Sequence, residues 1–449
     1  MKGTALWAGA VQVGVEYCLL NGETMYQNGS VNLLNLLLSL SDALDLASPI
    51  LSQHQMRTAF IVWEISKALE LPDTIQEQLF IAALFHDVGA LSPEEKINLH
   101  QPEAEDAEPH CILGEDFLKH VPLFEPSSKI VRFHHRPWQE WHSNRADPLM
   151  LQSQVLYLGD AVERLIDRDE YILHQEQSII ARVCSWSRQL VHPQVVEAFK
   201  SIAVREDFWF DIVSPRLYSL LLHEGPCRGT ELAISDLITV SEMFRNLIDF
   251  RSPFTATHTS GVAATAAAIS QLSGLAESEI ELMEVAGNLH DLGKMAISNH
   301  IIEKPDKLTK REMAIMRQHS YFTYSVLNTI GGIPHVAEWA AFHHEKLSGT
   351  GYPFHINGDR ISMGARIVAV ADIFTALAEN RPYRKAMQKK DVTTILTGFG
   401  RRQELDERVI DILLSNYDDI KEIVSRRQLE AQEAYRRKLM MSEPARIAC

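Results

Sequence analysis

Cysteine is scarce in this chain: Cys18, Cys111, Cys184, Cys227 and Cys449 are widely scattered, and no two form a C-x-x-C pair. That spacing excludes a disulfide framework and a thiolate-held zinc, and it fits reduced thiols in a cytoplasmic protein. Long apolar runs are missing too. Lys2 precedes the mostly apolar stretch Ala5 to Val15, but Gln12 and Glu16 interrupt it. No run is long enough to cross a bilayer, so no membrane role is expected. Positive charge is in deficit, with 43 Lys and Arg against 59 Asp and Glu and a formal charge of −16. A surface built to hold long nucleic-acid backbones is therefore not expected, and any phosphate ligand must be caught locally.

The alternation of half-buried strands is also sparse. Apolar residues instead recur at helical spacing, as in Phe60, Ile61, Trp63, Ile65 and Leu69, or Ile315, Tyr321, Val326 and Leu327. Pro and Gly punctuate the pattern at Leu71-Pro72, Gly225-Pro226, Gly331-Gly332 and Gly349 to Pro353. An all-α fold follows, and 449 residues call for two cores.

The histidines reveal an internal repeat. His54 precedes His86-Asp87 by the same 32 residues that separate His258 from His290-Asp291. His110 precedes His134-His135 by 24 residues, as His319 precedes His343-His344. Asp160 and Asp372 close the two series inside the similar phrases Leu156 to Ala161 and Val368 to Ile373. One helical metal-site module has thus been duplicated, with module one at 30–205 and module two at 245–400. Residues 206–244 are expected to be linker helices, including an amphipathic helix from Glu231 to Phe250. Residues 401–449 are expected to form a helical extension in which Glu422 to Met441 is a solvated helix or a homodimer contact.

A single histidine carries little weight, but their joint order does. Module two offers His258, His290, Asp291, His319, His343, His344 and Asp372 from several helices, a mixture suited to iron or manganese rather than calcium. Asp291 can bridge two ions, with His258, His290 and Asp372 completing one site and His319, His343 and His344 the other. Two ions roughly 3.5 to 4 Å apart clamp a phosphodiester and lower the pKa of a bridging water, so hydrolysis is the expected chemistry. Lys294, four residues after His290, can reach the same phosphate or the departing oxygen.

The phrase Gly351-Tyr352-Pro353, seven residues after His344, resembles the signature of the HD-GYP family, as does His290-Asp291-Leu292-Gly293-Lys294. Lys304-Pro305, Lys307-Leu308-Thr309 and Asn380-Arg381-Pro382-Tyr383-Arg384 extend the likeness over residues 250–388. The resemblance implies hydrolysis of a cyclic dinucleotide to a linear, 5′-phosphorylated one, with catalytic Asp291 and Lys294 and a bi- or trinuclear iron or manganese centre. Tyr352 and Pro353 would then face a base, Arg381 and Arg384 a phosphate or guanine edge, and Lys304 and Lys307 the ligand. Relatives with a third metal carry a glutamate where this chain has Phe254, so two ions are expected. Ile297-Ser298-Asn299 and Thr375 also depart from the common pattern.

Module one keeps His54, His86, Asp87, His110, His134, His135 and Asp160, a second candidate metal site. Ala90 replaces the lysine and Arg136-Pro137-Trp138 the G-Y-P approach, so it resembles a degenerate HD domain with a role in regulation, dimerisation or support of module two. A tandem arrangement with only the second half intact also resembles phosphodiesterases that linearise 3′3′-cyclic GMP-AMP, which places that substrate ahead of cyclic di-GMP. The competing readings are an HD nucleotide phosphohydrolase and a non-catalytic sensor or scaffold.

Overall fold

The computed structural model describes residues 30–46, 51–99, 108–141, 147–252, 256–379 and 385–446. A short antiparallel pair, β1 (Val31–Asn32) and β2 (Glu231–Leu232), accompanies an otherwise helical chain. The first half contains α1 (Leu33–Asp45), α2 (His54–Ala68), α3 (Asp73–Leu84), α4 (Pro93–Leu99), α5 (Glu108–Leu118), α6 (Glu125–Arg132), α7 (Pro148–Leu165), α8 (Ile172–Ser185) and α9 (Pro193–Ala203). Then come α10 (Glu206–Ile212), α11 (Leu217–Glu224) and α12 (Ile234–Phe250). The second half contains α13 (His258–Leu272), α14 (Glu277–Leu289), α15 (Asn299–Ile302), α16 (Lys310–Met316), α17 (Gln318–Ile330), α18 (Pro334–Ala341) and α19 (Met363–Ala378). It closes with α20 (Lys389–Arg401), α21 (Glu407–Ser415) and α22 (Tyr417–Arg446).

Local chemistry sets several of these boundaries. Asp147 accepts from the Leu149 amide at 3.0 Å with Pro148 at the first helical position, a start signal for α7. Thr309 and Glu312 form a reciprocal capping box at α16. Leucines surround α1, so it is buried along most of its length rather than on one stripe.

The repeat in the sequence is a repeat in space. His54 and His258 each open a 15-residue helix. Each opening turn is held by a buried carboxylate: Asp45 accepts from the Gln55 amide at 3.1 Å and Asp249 from the Thr259 amide at 3.3 Å. Gly89 and Gly293 occupy matching close approaches. A Cβ there would lie 2.0 Å from the carbonyl oxygens of His110 and His319, so only glycine lets the His-Asp turn lie against the helix bearing the next ligand.

One apolar core runs through both modules. Phe208 and Trp209 of α10, with Leu217 and Leu221 of α11, are fully buried in it, so the segment between the modules is packed structure. The stretch Glu231 to Phe250 begins as β2 and becomes helical only at Ile234, because Glu231 and Leu232 pair with the chain entering α1. Helix α22 lies against the body of the protein. Tyr435 packs on Phe250 at 5.0 Å, and Lys438 pairs with Asp116 of α5 and covers the Phe117 ring at 4.2 Å. Its outward charges suggest a solvated helix, while Ile420 and Val424 on the inner face are buried. Among the described residues no helix is long and apolar enough to cross a membrane.

Candidate metal centre

Helix α14 ends at Leu289 and the chain tightens into a 3-10 turn at Leu292–Ala296, so His290 and Asp291 leave the helix pointing inward. His258 comes from the first turn of α13, His319 from that of α17, His343 and His344 from the 3-10 turn after α18, and Asp372 from α19. All seven expected ligands of module two meet. One donor atom each from His258, His290 and Asp372 lies within 4.8 Å of the others, as do those of His290, Asp291 and His343, and of His319, His343 and His344.

The hydrogen bonds fix which ring nitrogens face the centre. Nδ1 of His290, His319 and His343 lies 2.8, 2.7 and 2.6 Å from the carbonyl oxygens of Gly287, Met316 and Ala340. A carbonyl only accepts, so each Nδ1 carries the proton and each Nε2 turns a lone pair inward. His319 Nε2 and His343 Nε2 are 3.4 Å apart, and buried His290 Nε2 makes no hydrogen bond although Asp291 Oδ2 is 3.2 Å away. The Ser320 hydroxyl, 3.1 Å from His319 Nε2, can donate to that one, and a cation among the converging lone pairs removes their mutual repulsion. This donor set fits a first-row transition metal, with backbone carbonyls as the outer shell that orients the imidazoles.

The electrostatics agree. Burial lowers His319 to about 4 and, with His319 beside it, His344 to about 3; burial and His344 hold His343 well below the ordinary range. These rings are therefore neutral, as ligands must be. Burial opposes charge on Asp291 and Asp372, but Lys294 and His290 around the first and His258 beside the second hold both ionised well below the usual carboxylate range. His258 differs. Burial works against its charge, yet Glu379 and Asp372 outweigh it and raise His258 to about 10.

Glu379 is a site residue that the sequence reading missed. Its Oε1 lies 3.2 Å from His258 Nδ1, doing for that ring what a carbonyl does for the others. Glu163 does the same in module one, 2.5 Å from His54 Nδ1. Glu379 follows Asp372 by seven residues and Glu163 follows Asp160 by three, both steps that return to one helix face. Acids at such spacing are too common to stand out in a sequence.

His258, Asp291, His343, His344 and Asp372 line a cavity of about 480 Å³ whose walls also include Lys294, Lys304, Pro305, Lys307 and Ala376. Lys294 Nζ sits 2.5 Å from Asp291 Oδ2, and Lys304 is held by both oxygens of Glu312 at 2.8 and 2.7 Å. The Gly351-Tyr352-Pro353 loop is stapled to the ligand turn, with the Tyr352 amide donating to the His344 carbonyl at 3.2 Å. The Tyr352 ring packs on His344 at 4.8 Å and under the Arg317 guanidinium at 5.0 Å, so it braces a ligand; Arg317 was not anticipated. Pro353 is half-buried beside it. Arg381 and Arg384, like Phe254, lie outside the described residues.

Module one assembles its set as well. Asp87, His110, His134 and His135 form one group and His54, His86 and Asp87 another, with Asp160 3.6 Å from both His54 and His86. Its surroundings differ from those of module two. Arg164 binds Asp160 at 2.8 Å, whereas the matching position after Asp372 is Ala376.

Comparison with known proteins places these observations. Residues 51–165 and 242–409 each match an HD domain family model. The chain is 26% identical over 397 residues to "3'3'-cGAMP-specific phosphodiesterase 1" of Vibrio cholerae serotype O1, covering 86% of this chain and 92% of that one. It is 36% identical over 188 residues to "Cyclic di-GMP phosphodiesterase response regulator RpfG" of Xanthomonas campestris pv. campestris, covering 41% and 49%. The solved structure of the V. cholerae cyclic GMP-AMP specific phosphodiesterase V-cGAP3 superposes with a TM-score of 0.60 at 23% identity, over 87% of this chain and 98% of that one, and so shares its fold. The chain belongs to the HD-domain family, with one HD domain in each half and the HD-GYP signature in the second.

Proposed function

We propose that module two hydrolyses one phosphodiester bond of a cyclic dinucleotide, 3′3′-cyclic GMP-AMP ahead of cyclic di-GMP, to a linear 5′-phosphorylated dinucleotide. The observation that carries the reading is the convergence of seven His and Asp side chains, five of which line a lysine-walled cavity of about 480 Å³. That volume falls within the range of small-molecule sites. The relative that spans most of this chain under the name of a 3'3'-cGAMP-specific phosphodiesterase supports the order of substrates.

His258, His290, Asp291 and Asp372 would hold one ion and Asp291, His319, His343 and His344 the other, with iron or manganese the expected metals. When bound, such ions supply polarisation of the phosphodiester oxygens and a lowered pKa for the attacking water. Lys294, paired with Asp291 at 2.5 Å, is placed to offset negative charge on the departing 3′ oxygen. Lys304 and Lys307 line the same cavity and are expected to meet the second phosphate, with Lys304 held by Glu312. Tyr352, which packs on His344, and Pro353 are expected to face a base, and Arg381 and Arg384 to add phosphate or guanine contacts.

The test is hydrolysis of 3′3′-cyclic GMP-AMP, cyclic di-GMP and cyclic di-AMP by manganese- or iron-loaded protein beside Asp291→Ala, with metal content measured on both. Conversion to a linear dinucleotide that disappears in the variant together with the metal held by module two is the expected result. Intact substrates under every metal load would overturn the reading in favour of a sensor.

A further inference from the structure

We propose that the His/Asp cluster of module one is a divalent-metal control site, and that α4 reports its occupancy to the Lys294 turn of module two. The donors are built for a cation. His86 and His134 place Nδ1 at 2.9 and 2.6 Å from the Ala83 and Val131 carbonyls, and His54 places Nδ1 2.5 Å from Glu163. Their Nε2 atoms therefore turn inward, where His54 meets His86 at 3.3 Å and His110 meets His134 at 3.4 Å. Asp87 stands among them, 3.6, 3.4 and 3.6 Å from His54, His86 and His110.

The same cluster is poorly suited to turnover. Ala90 stands where module two has Lys294, and Arg164 lies on Asp160 where module two has Ala376 in the cavity wall. A cation supplied by the chain already occupies one edge of the carboxylate a second ion would need. Control rather than catalysis follows from that difference.

Helix α4 is tied to this cluster at both ends. Its start, Pro93, follows ligand Asp87 by six residues, and its last carbonyl, that of Leu99, accepts from the same Arg164 at 3.2 Å. Its middle is anchored by buried Lys96, which donates to the Leu44 carbonyl at 2.6 Å. At the other side Glu94 accepts from Ser298 of module two at 2.7 Å. Ser298 ends the turn that carries Lys294, and buried Arg251 clamps that turn through the carbonyls of Lys294 and Ile297, the latter at 2.7 Å. Arg164 holds Oδ2 of Asp160 while Oδ1 stands 3.6 Å from His54 and His86, so an ion drawing on Oδ1 shares the carboxylate with Arg164 and changes its hold on Leu99 and the seat of Glu94 against Ser298. A chain of contacts becomes coupling only when occupancy at one end moves the other, and the experiment measures that directly.

The test uses full-length protein stripped of metal and returned to Mn2+ alone. Asp291→Ala impairs module two, so metal retained by that variant reports on module one. The expected result is about one Mn2+ per chain in Asp291→Ala, lost when Asp87→Asn is added. In the same pair, Mn2+ should alter amide hydrogen exchange across residues 292–299 of Asp291→Ala by several-fold and leave the double variant unchanged. Equal metal content in the two variants would overturn the site, and unchanged exchange in Asp291→Ala would overturn the coupling. Should Asp87→Asn fail to fold, His110→Gln serves in its place. Neither readout requires hydrolysis, so failure here is separate from failure of the hydrolase reading.

Discussion

Ser298 donates a 2.7 Å hydrogen bond to Glu94, and each residue stands seven positions after the aspartate of its own His-Asp pair. The duplicated modules therefore touch at equivalent positions, as two copies of one subunit do in an isologous dimer.

Arg251→Met should leave the Ile297 carbonyl without its buried donor and the Lys294 carbonyl with the Ile297 amide alone. The orphaned acceptor costs about 1–3 kcal/mol, and the Lys294 turn loses its clamp. The expected outcome is a lower urea midpoint together with a fall in kcat larger than any change in KM, with Arg251→Lys recovering part of both. A variant of unaltered stability and kcat would show that the turn holds itself.

Lys294→Met should keep metal content and lose turnover. An ammonium 2.5 Å from Asp291 acts on developing charge rather than on the ligand geometry, so a loss of about 100-fold in kcat is expected. Elemental analysis beside steady-state kinetics separates the two, and loss of metal in this variant would make Lys294 a structural partner of Asp291.

Gly293→Ala places a Cβ 2.0 Å from the His319 carbonyl oxygen. The backbone must move, at a cost of about 1–3 kcal/mol typical of overpacking, and His319 moves with it. Metal stoichiometry of module two should fall along with the unfolding midpoint. Gly89→Ala, facing the His110 carbonyl at the same 2.0 Å, should lower the metal content of module one instead.

Burial lifts the Glu338 carboxyl from its ordinary 4.5 to about 7. The folded protein thus holds that proton more tightly than the unfolded chain, so the stability it contributes is present below about pH 4.5 and lost as pH rises through about 7. Glu338→Gln removes the dependence. Measured by urea unfolding, its gain over the parent should be larger at pH 8 than at pH 5, and an equal gain at both would mean that Glu338 does not titrate in this window.

The clustering of the His and Asp side chains was legible in the sequence because the pattern repeats. His54 with His86-Asp87 and His258 with His290-Asp291 share one spacing, and the histidines that follow share another, so each half supports the reading of the other. Helical content was legible for a similar reason, since apolar periodicity is local and buried faces enforce it. Glu379, Arg317, Asp45 and Asp249 were not legible. Each acts on a residue brought near by folding, and nothing in its own neighbourhood distinguishes it from an ordinary surface charge.

By itself the sequence determined an all-α chain with two copies of a metal-ligand module, and which copy keeps Lys294 and the Gly351-Tyr352-Pro353 loop. Those are properties of residue type and order, and they hold wherever the chain goes. Tertiary structure alone decided that α22 braces both modules through Lys438 and Asp116, that Tyr352 lies on His344, that Arg164 covers Asp160, and that Glu94 of one module meets Ser298 of the other. The physical reason is separation: Lys438 and Asp116 are 322 residues apart and Ser298 and Glu94 are 204 apart. Over such distances proximity is set by how the shared core closes, which no local pattern encodes.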